Sequence, residues 1–164
     1  MISNRVYWLL EDKSIGIMPH PMGKAYLASE IKDLKAQSVT GLACLLDERE
    51  VKMTGLENEQ KLCEEEGITF WHFPIPDTQP PKSQLDAHFF ILDLVKYYKE
   101  KKGLVLHCYG GIGRSGTIAL AVLMHLGYDL NEMKRKATLI RGTHVPQTSV
   151  QEKWLDEYKF YIGK

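Results

Sequence analysis

The run His107-Cys108-Tyr109-Gly110-Gly111-Ile112-Gly113-Arg114-Ser115-Gly116 puts a thiol and a guanidinium at the two ends of a glycine-rich loop. Glycine at 110, 111 and 113 removes Cβ atoms and permits positive φ. Backbone N–H groups of such a loop can turn inward as an anion-binding nest. A helix beginning near Arg114 aims its own free N–H groups and dipole at the same point. Cys108 then lies at the floor of the nest, where positive potential favours thiolate over thiol. Tyr109, Gly110, Gly111, Ile112, Gly113 and Arg114 form the expected phosphate-binding wall. The planar fork of Arg114 can grip two phosphoryl oxygens, which a lysine cannot do in the same geometry. Ser115 is placed to hydrogen-bond the sulfur and make it a better leaving group. His107 is placed to orient the loop by hydrogen bonding rather than to act as a base.

Other chemistries fit the same letters less well. Gly111-x-Gly113-x-x-Gly116 spells a dinucleotide fingerprint, but that fingerprint opens the first βαβ unit and needs an acidic residue at the end of the next strand. Here the loop comes late, and helical patterns follow it. A Walker A loop needs Gly-Lys-Ser/Thr, and Gly113-Arg114-Ser115 lacks the lysine. A buried, inert cysteine in a glycine turn is the usual fate of this residue, but it leaves Arg114 beside a sulfur with no anion to bind.

The elements that must hold this loop read as alternating strands and helices. Short apolar runs predict strands at Val6–Leu10, Ile15–Met18, Val39–Leu46, Ile68–Phe73 and Gly103–His107. Helical spacing covers Lys24–Gln37, with Leu27, Ile31 and Leu34, and Leu56–Glu66, ended by Gly67. In Ser83–Lys101, Leu85, Phe89, Leu92 and Val95 recur at helical spacing and predict the buried face. Ser83 with Asp86 there resembles a capping box. Thr117–Leu126 is apolar on all sides, as a buried helix is. Asp129 with Glu132 and Ser149 with Glu152 read as caps of two further helices; Val150, Trp154, Tyr158 and Tyr161 form one face of the last. The predicted fold is α/β, a mostly parallel central sheet flanked by helices, in one domain over residues 1–164. Parallel sheets bind ligands at the carboxyl ends of their strands, where the 107–116 loop lies.

Charge adds a constraint. Lys plus Arg and Asp plus Glu number 21 each, for a formal net charge of zero, so anion affinity must be local and bulk nucleic-acid binding is not indicated. Cys44, Cys63 and Cys108 match neither a zinc nor a disulfide spacing, which points to a reducing compartment. His20, His72, His88, His125 and His144 show no metal-binding pairing. The N-terminal run MISNRVYWLLEDK does not read as a secretory signal, and Ile118–Leu126 is too short to span a bilayer. The expectation is a cytoplasmic monomer with no cofactor, no metal, no membrane and no nucleic-acid partner.

His107-Cys108-x5-Arg114-Ser115-Gly116 resembles the HCx5R(S/T)G loop of the cysteine-dependent protein tyrosine phosphatases, matching it at every fixed position. The short chain is similar to the small dual-specificity group, in its atypical or archaeal-type minimal forms. That resemblance implies a protein tyrosine phosphatase-like fold and hydrolysis of phosphotyrosine, with phosphoserine or phosphothreonine possible, on a phosphorylated protein and through a cysteinyl-phosphate. It also implies a general acid on a loop some thirty residues before the nucleophile. Asp77, in 73-FPIPDTQPP-81, lies 31 positions before Cys108. A turn residue after proline is the bland reading of Asp77. The family often positions the hydrolytic water with a glutamine in a late loop. Gln147 fits that place, with Gln151 one turn on; helix-start polarity is the alternative for both. Arg141 resembles an arginine found before this loop in relatives, with a structural ion pair as the alternative. Relatives sometimes pair a strand cysteine such as Cys44 with the nucleophile on oxidation, a pairing sequence leaves open. Asp47-Glu48-Arg49-Glu50 follows a strand and reads as a solvated turn, with a place near the site mouth as the alternative. Tyr109–Gly113 carries no lysine, unlike phosphoinositide phosphatases of this superfamily. An RNA 5′-phosphatase and a non-catalytic phosphate-binding module are the remaining alternatives.

Overall fold

A strand apolar on both faces fits only the middle of a sheet, and Leu104–His107 sits there, buried at all four residues. The computed structural model describes residues 5–164, so the first four residues of the charged N-terminal run lie outside it. In chain order the elements are β1 (Tyr7–Trp8), β2 (Ile15–Met18), a 3-10 turn (Lys24–Tyr26), α1 (Leu27–Ala36), β3 (Gly41–Cys44), α2 (Glu48–Thr54), α3 (Glu59–Glu65), β4 (Thr69–His72), α4 (Gln84–Lys101), β5 (Leu104–His107), α5 (Arg114–His125), α6 (Leu130–Arg141) and α7 (Ser149–Tyr161). The sheet order is β1-β2-β5-β3-β4. Among the described residues only the edge pair β1–β2 is antiparallel; β2–β5, β5–β3 and β3–β4 are parallel. The expected α/β architecture is therefore the observed one.

Parallel pairing puts the carboxyl ends of β2, β3, β4 and β5 at one edge, and four loops converge there. Helices cover both faces. On one, Leu104 and Leu106 pack with Ile91 and Leu94 of α4, Ile118 and Val122 of α5 and Leu155 of α7. On the other, Leu42 and Val105 pack with Ile31 and Leu34 of α1 and Cys63 of α3. Every residue of α5 from Arg114 to Met124 is buried, as its all-round apolar sequence requires. Truncating a core residue such as Ile118 costs roughly 2–5 kcal/mol, so the helix that carries Arg114 is rigidly seated.

Several local expectations are corrected. α4 buries Ala87, Phe90, Ile91, Leu94, Val95 and Tyr98, while Leu85, Phe89 and Leu92 stay exposed. The helix carries two apolar stripes, and the sheet takes the one that includes the small Ala87. Asp47–Glu50 is no solvated turn: it starts α2 with a full capping box, Glu50 N–H on the Asp47 carboxylate and Asp47 N–H on that of Glu50. α3 begins three residues later than expected, with Leu56 buried in the turn before it. α7 is capped one residue early, by Thr148 and Gln151 rather than Ser149 and Glu152. Trp154 and Tyr158 are buried on it, but Val150 and Tyr161 remain exposed. Ser83 caps α4 by accepting from Asp86 N–H.

Candidate active site

The loop from Cys108 to Gly113 leaves the end of β5 and enters α5. Its carbonyls face outward and are taken: Tyr109 O accepts from His20 N–H at 3.1 Å, and Gly111 O and Gly110 O accept from Arg141 at 2.9 and 3.0 Å. Because C=O and N–H oppose each other across a trans peptide, the N–H groups of 110–112 point the other way, and that of Ile112 reaches Cys108. Of the three glycines, Gly111 adopts positive φ, +70°, and a Cβ there would lie 2.3 Å from the Met18–Pro19 backbone. Gly113 is needed for space instead, since a Cβ would meet the amide groups of Gln147 and Gln151 at about 3 Å. Arg141 also lies over the Tyr7 ring at 3.9 Å, so it clamps the loop, and among the described residues it forms no ion pair.

Cys108 is buried, with its sulfur 3.3 Å from the Ser115 hydroxyl. Burial alone would favour the neutral thiol. The Ser115 hydroxyl, the amides of Ser115 and Ile112 and the charge of Arg114 outweigh it and hold Cys108 below the ordinary thiol range. Cys63 is the contrast: burial and Glu59 push its thiol far up, leaving it inert.

Arg114 is held from behind by a residue that sequence reading missed. Glu50 accepts from Nη1 at 2.7 Å and Nη2 at 2.8 Å, a bidentate buried pair. Ile75 O accepts from Nη1 at 2.9 Å, and Asp77 Oδ1 accepts from Nη2 at 3.1 Å. The capping pattern Asp47-x-x-Glu50 at the end of β3 is the signal that marks Glu50 as part of a helix start pointing at this edge.

Asp77 sits on the loop after β4, its side chain 63% exposed. That loop is tied down on both sides. Ile75 N–H bonds Leu45 O at 3.0 Å, and Thr148 donates to Thr78 O at 2.9 Å. Gln151 is fully buried and structural: its amide oxygen caps Thr148 N–H, and its NH₂ reaches Gln79 O. Gln147 is exposed beside Gly113. Cys108, Arg114, Ser115, Asp77 and Gln147 thus gather at one end of the sheet, and the opening beside them is a cleft of about 260 Å³ lined by Asp47, Arg49, Glu50, Met53, Asp77 and Tyr109.

His107 points away from this opening. Its Nε2 meets Glu59 Oε1 at 2.6 Å and its Nδ1 meets the carbonyl of Cys108 at 3.3 Å. Burial alone would strip the ring of its proton; Glu59 and Cys44 outweigh that and hold it well above the ordinary imidazole range. Cys44 pairs in register with His107 and belongs to the core on that side, whereas Cys108 belongs to the opposite one. All three cysteines are free.

A family model described as "Polymorphic toxin system, DSP-PTPase phosphatase" matches residues 16–128. The chain belongs to this family. Among curated proteins it is 26% identical to cyclin-dependent kinase inhibitor 3 of Rattus norvegicus over 136 residues, 81% of this chain and 63% of that protein. Protein tyrosine phosphatase type IVA 3 of Mus musculus is 25% identical over 112 residues, 68% of this chain and 60% of that protein. The chain thus spans less than two thirds of these relatives. The solved structure of kinase associated phosphatase with its catalytic cysteine replaced by serine superposes with a TM-score of 0.83 at 21% identity, covering 98% and 96% of the two chains. Tk-PTP in its active form gives 0.77 at 24% identity, covering 96% and 97%. These likenesses establish the phosphatase fold and bear out the resemblance to the small dual-specificity and minimal tyrosine phosphatases.

Proposed function

We propose that this protein is a cysteine-dependent phosphatase that hydrolyses phosphotyrosine, and with it phosphoserine or phosphothreonine, on phosphorylated proteins. The observation that carries the reading is the sulfur of Cys108 under the inward amides of Ile112 and Ser115, facing an arginine fixed by Glu50. The relatives' names, protein tyrosine phosphatase and kinase associated phosphatase, support the same substrate class.

The mechanism follows from the geometry. A phosphoryl group settles on the amides of 109–114. Its charge takes up Arg114, whose Nη groups are otherwise spent on Glu50, Ile75 O and Asp77. Asp77 is thereby released toward the leaving oxygen. The Cys108 thiolate attacks phosphorus in line, and the P–O bond to the substrate breaks as the Asp77 carboxyl gives that oxygen its proton, an assistance of roughly 10²–10⁴-fold. Preorganised amides and Arg114 stabilise the equatorial oxygens. The Ser115 hydroxyl steadies the departing sulfur in the second step. Water placed by Gln147 then attacks the thiophosphate, Asp77 taking its proton, to release phosphate and regenerate the thiolate. No step requires a metal or cofactor.

The same reading makes residues 1–164 one phosphatase domain, monomeric, acting in the cytoplasm, where a reducing environment keeps the Cys108 thiol intact. Among the described residues no helix is long and apolar enough to cross a membrane.

Cys108→Ser tests it. The variant is expected to bind a phosphotyrosine peptide while turnover falls by roughly four orders of magnitude or more. Turnover that survives the substitution, or wild-type protein that hydrolyses phosphoinositides or RNA 5′-phosphates but no phosphopeptide, contradicts the assignment.

A further inference from the structure

Behind the loop, on the face of the sheet away from Cys108, three buried side chains of different chemistry meet. Cys44 ends β3, Glu59 opens α3 and His107 ends β5. One donor atom from each lies within 4.8 Å of the other two. We propose that Cys44, Glu59 and His107 form a binding site for a divalent cation of the zinc class.

The donor set selects the ion. A thiolate, an imidazole and one carboxylate oxygen suit a borderline-soft, tetrahedral cation and leave calcium or magnesium, which want oxygen shells, poorly served. Charge favours it as well: a bound thiolate and carboxylate offset both charges of Zn²⁺, a neutral imidazole completes a neutral buried complex, and the protons displaced from sulfur and ring go to solvent.

Two further observations fit. A metal-bound histidine almost always donates its other ring N–H to a carbonyl or carboxylate, and the Nδ1 of His107 already meets the carbonyl of Cys108 at 3.3 Å. A cavity of about 100 Å³, lined by Cys44, Glu59, Gln60, Phe70 and His72, opens onto the cluster. It supplies an entry path and room for a water as fourth ligand. The Glu59–His107 contact, 2.6 Å now, opens to roughly 3.3 Å when both atoms bind zinc at ~2.0–2.1 Å. The histidines that sequence spacing set aside are others; this trio comes from three separate elements.

Cobalt(II) is the probe. Added to the reduced, metal-stripped full chain, it is expected to bind one equivalent and give a thiolate-to-cobalt charge-transfer band that zinc abolishes. The band persists in Cys108→Ser, is lost in Cys44→Ser, and needs at least about tenfold more metal in Glu59→Gln. Zinc at a hundredfold excess over its Kd raises Tm by roughly 5–10 °C. No band in the wild type, or a band that follows Cys108 instead of Cys44, overturns the site. The Cys108→Ser arm keeps this outcome separate from the fate of the phosphatase reading. A readout that needs no variant is anomalous diffraction from wild-type crystals grown with zinc. Density between the Cys44 sulfur, Glu59 and His107 supports the site; density at Cys108, or none, refutes it.

Discussion

His107 and Cys108 are neighbours in sequence, and strand alternation sends their side chains to opposite faces of the sheet. The front cluster, around Cys108, meets solvent through Asp77, whose side chain is 63% exposed, while its ion pair, Arg114 with Glu50, is itself buried. The back cluster, around His107, has both members of its ion pair at most 2% exposed and borders the small cavity beside Cys44 and Glu59. Two buried pairs thus serve different ends. In the proposed mechanism the front pair holds a charge where a substrate can use it; the back pair ties β5 to α3 and lies beside the carbonyl of Cys108. Breaking the front should cost rate, and breaking the back should cost stability.

Asp77→Asn gives the largest separation. Its kcat is expected to fall about 10²–10⁴-fold on a phosphotyrosine peptide and much less on an activated aryl phosphate, whose leaving group needs no proton. Its Tm should barely move, because the side chain is exposed. Steady-state kinetics on the two substrates, with a melting curve, checks both halves. Glu50→Gln comes next. It keeps the shape but frees the fork of Arg114, and a small misplacement of a positioned group costs up to about 10²-fold in kcat. Glu59→Gln is the smallest in rate and the largest in stability. Leaving the buried His107 without its counter-charge costs about 3 kcal/mol by chemical denaturation, while kcat falls less than about tenfold. A Glu59→Gln loss in kcat equal to that of Glu50→Gln would erase the distinction between the two faces.

The front cluster was largely legible in the sequence because most of it is contiguous. One loop carries Cys108, Arg114, Ser115 and the glycines, and its chemistry is local. Asp77 was readable from a proline-stiffened segment after a strand. The alternation of apolar runs likewise gave the parallel sheet, and so the edge at which the loops meet. Glu50 and Glu59 were not legible, because each acts on a residue more than forty positions away. Their local signals, a capping pattern and a polar helix start, look like those of any surface helix. The face of α4 failed for a related reason. Leu85, Phe89 and Leu92 obey helical periodicity as well as Ala87, Ile91 and Leu94 do, and only the partner decides which stripe is buried. The cap at Thr148 was missed by one residue because Thr148 and Ser149 both carry hydroxyls, and the distinction lies in where Gln151 reaches, across to Gln79 O.

The most direct test is to catch the intermediate on its sulfur. The chain is mixed with a phosphotyrosine peptide, quenched within the first turnover, digested and examined by mass spectrometry. A phosphoryl group on Cys108, formed and lost at rates that account for steady-state turnover, is the result predicted here. Phosphate released at full rate with Cys108 never modified, or a phosphoryl group found on another residue, would contradict it.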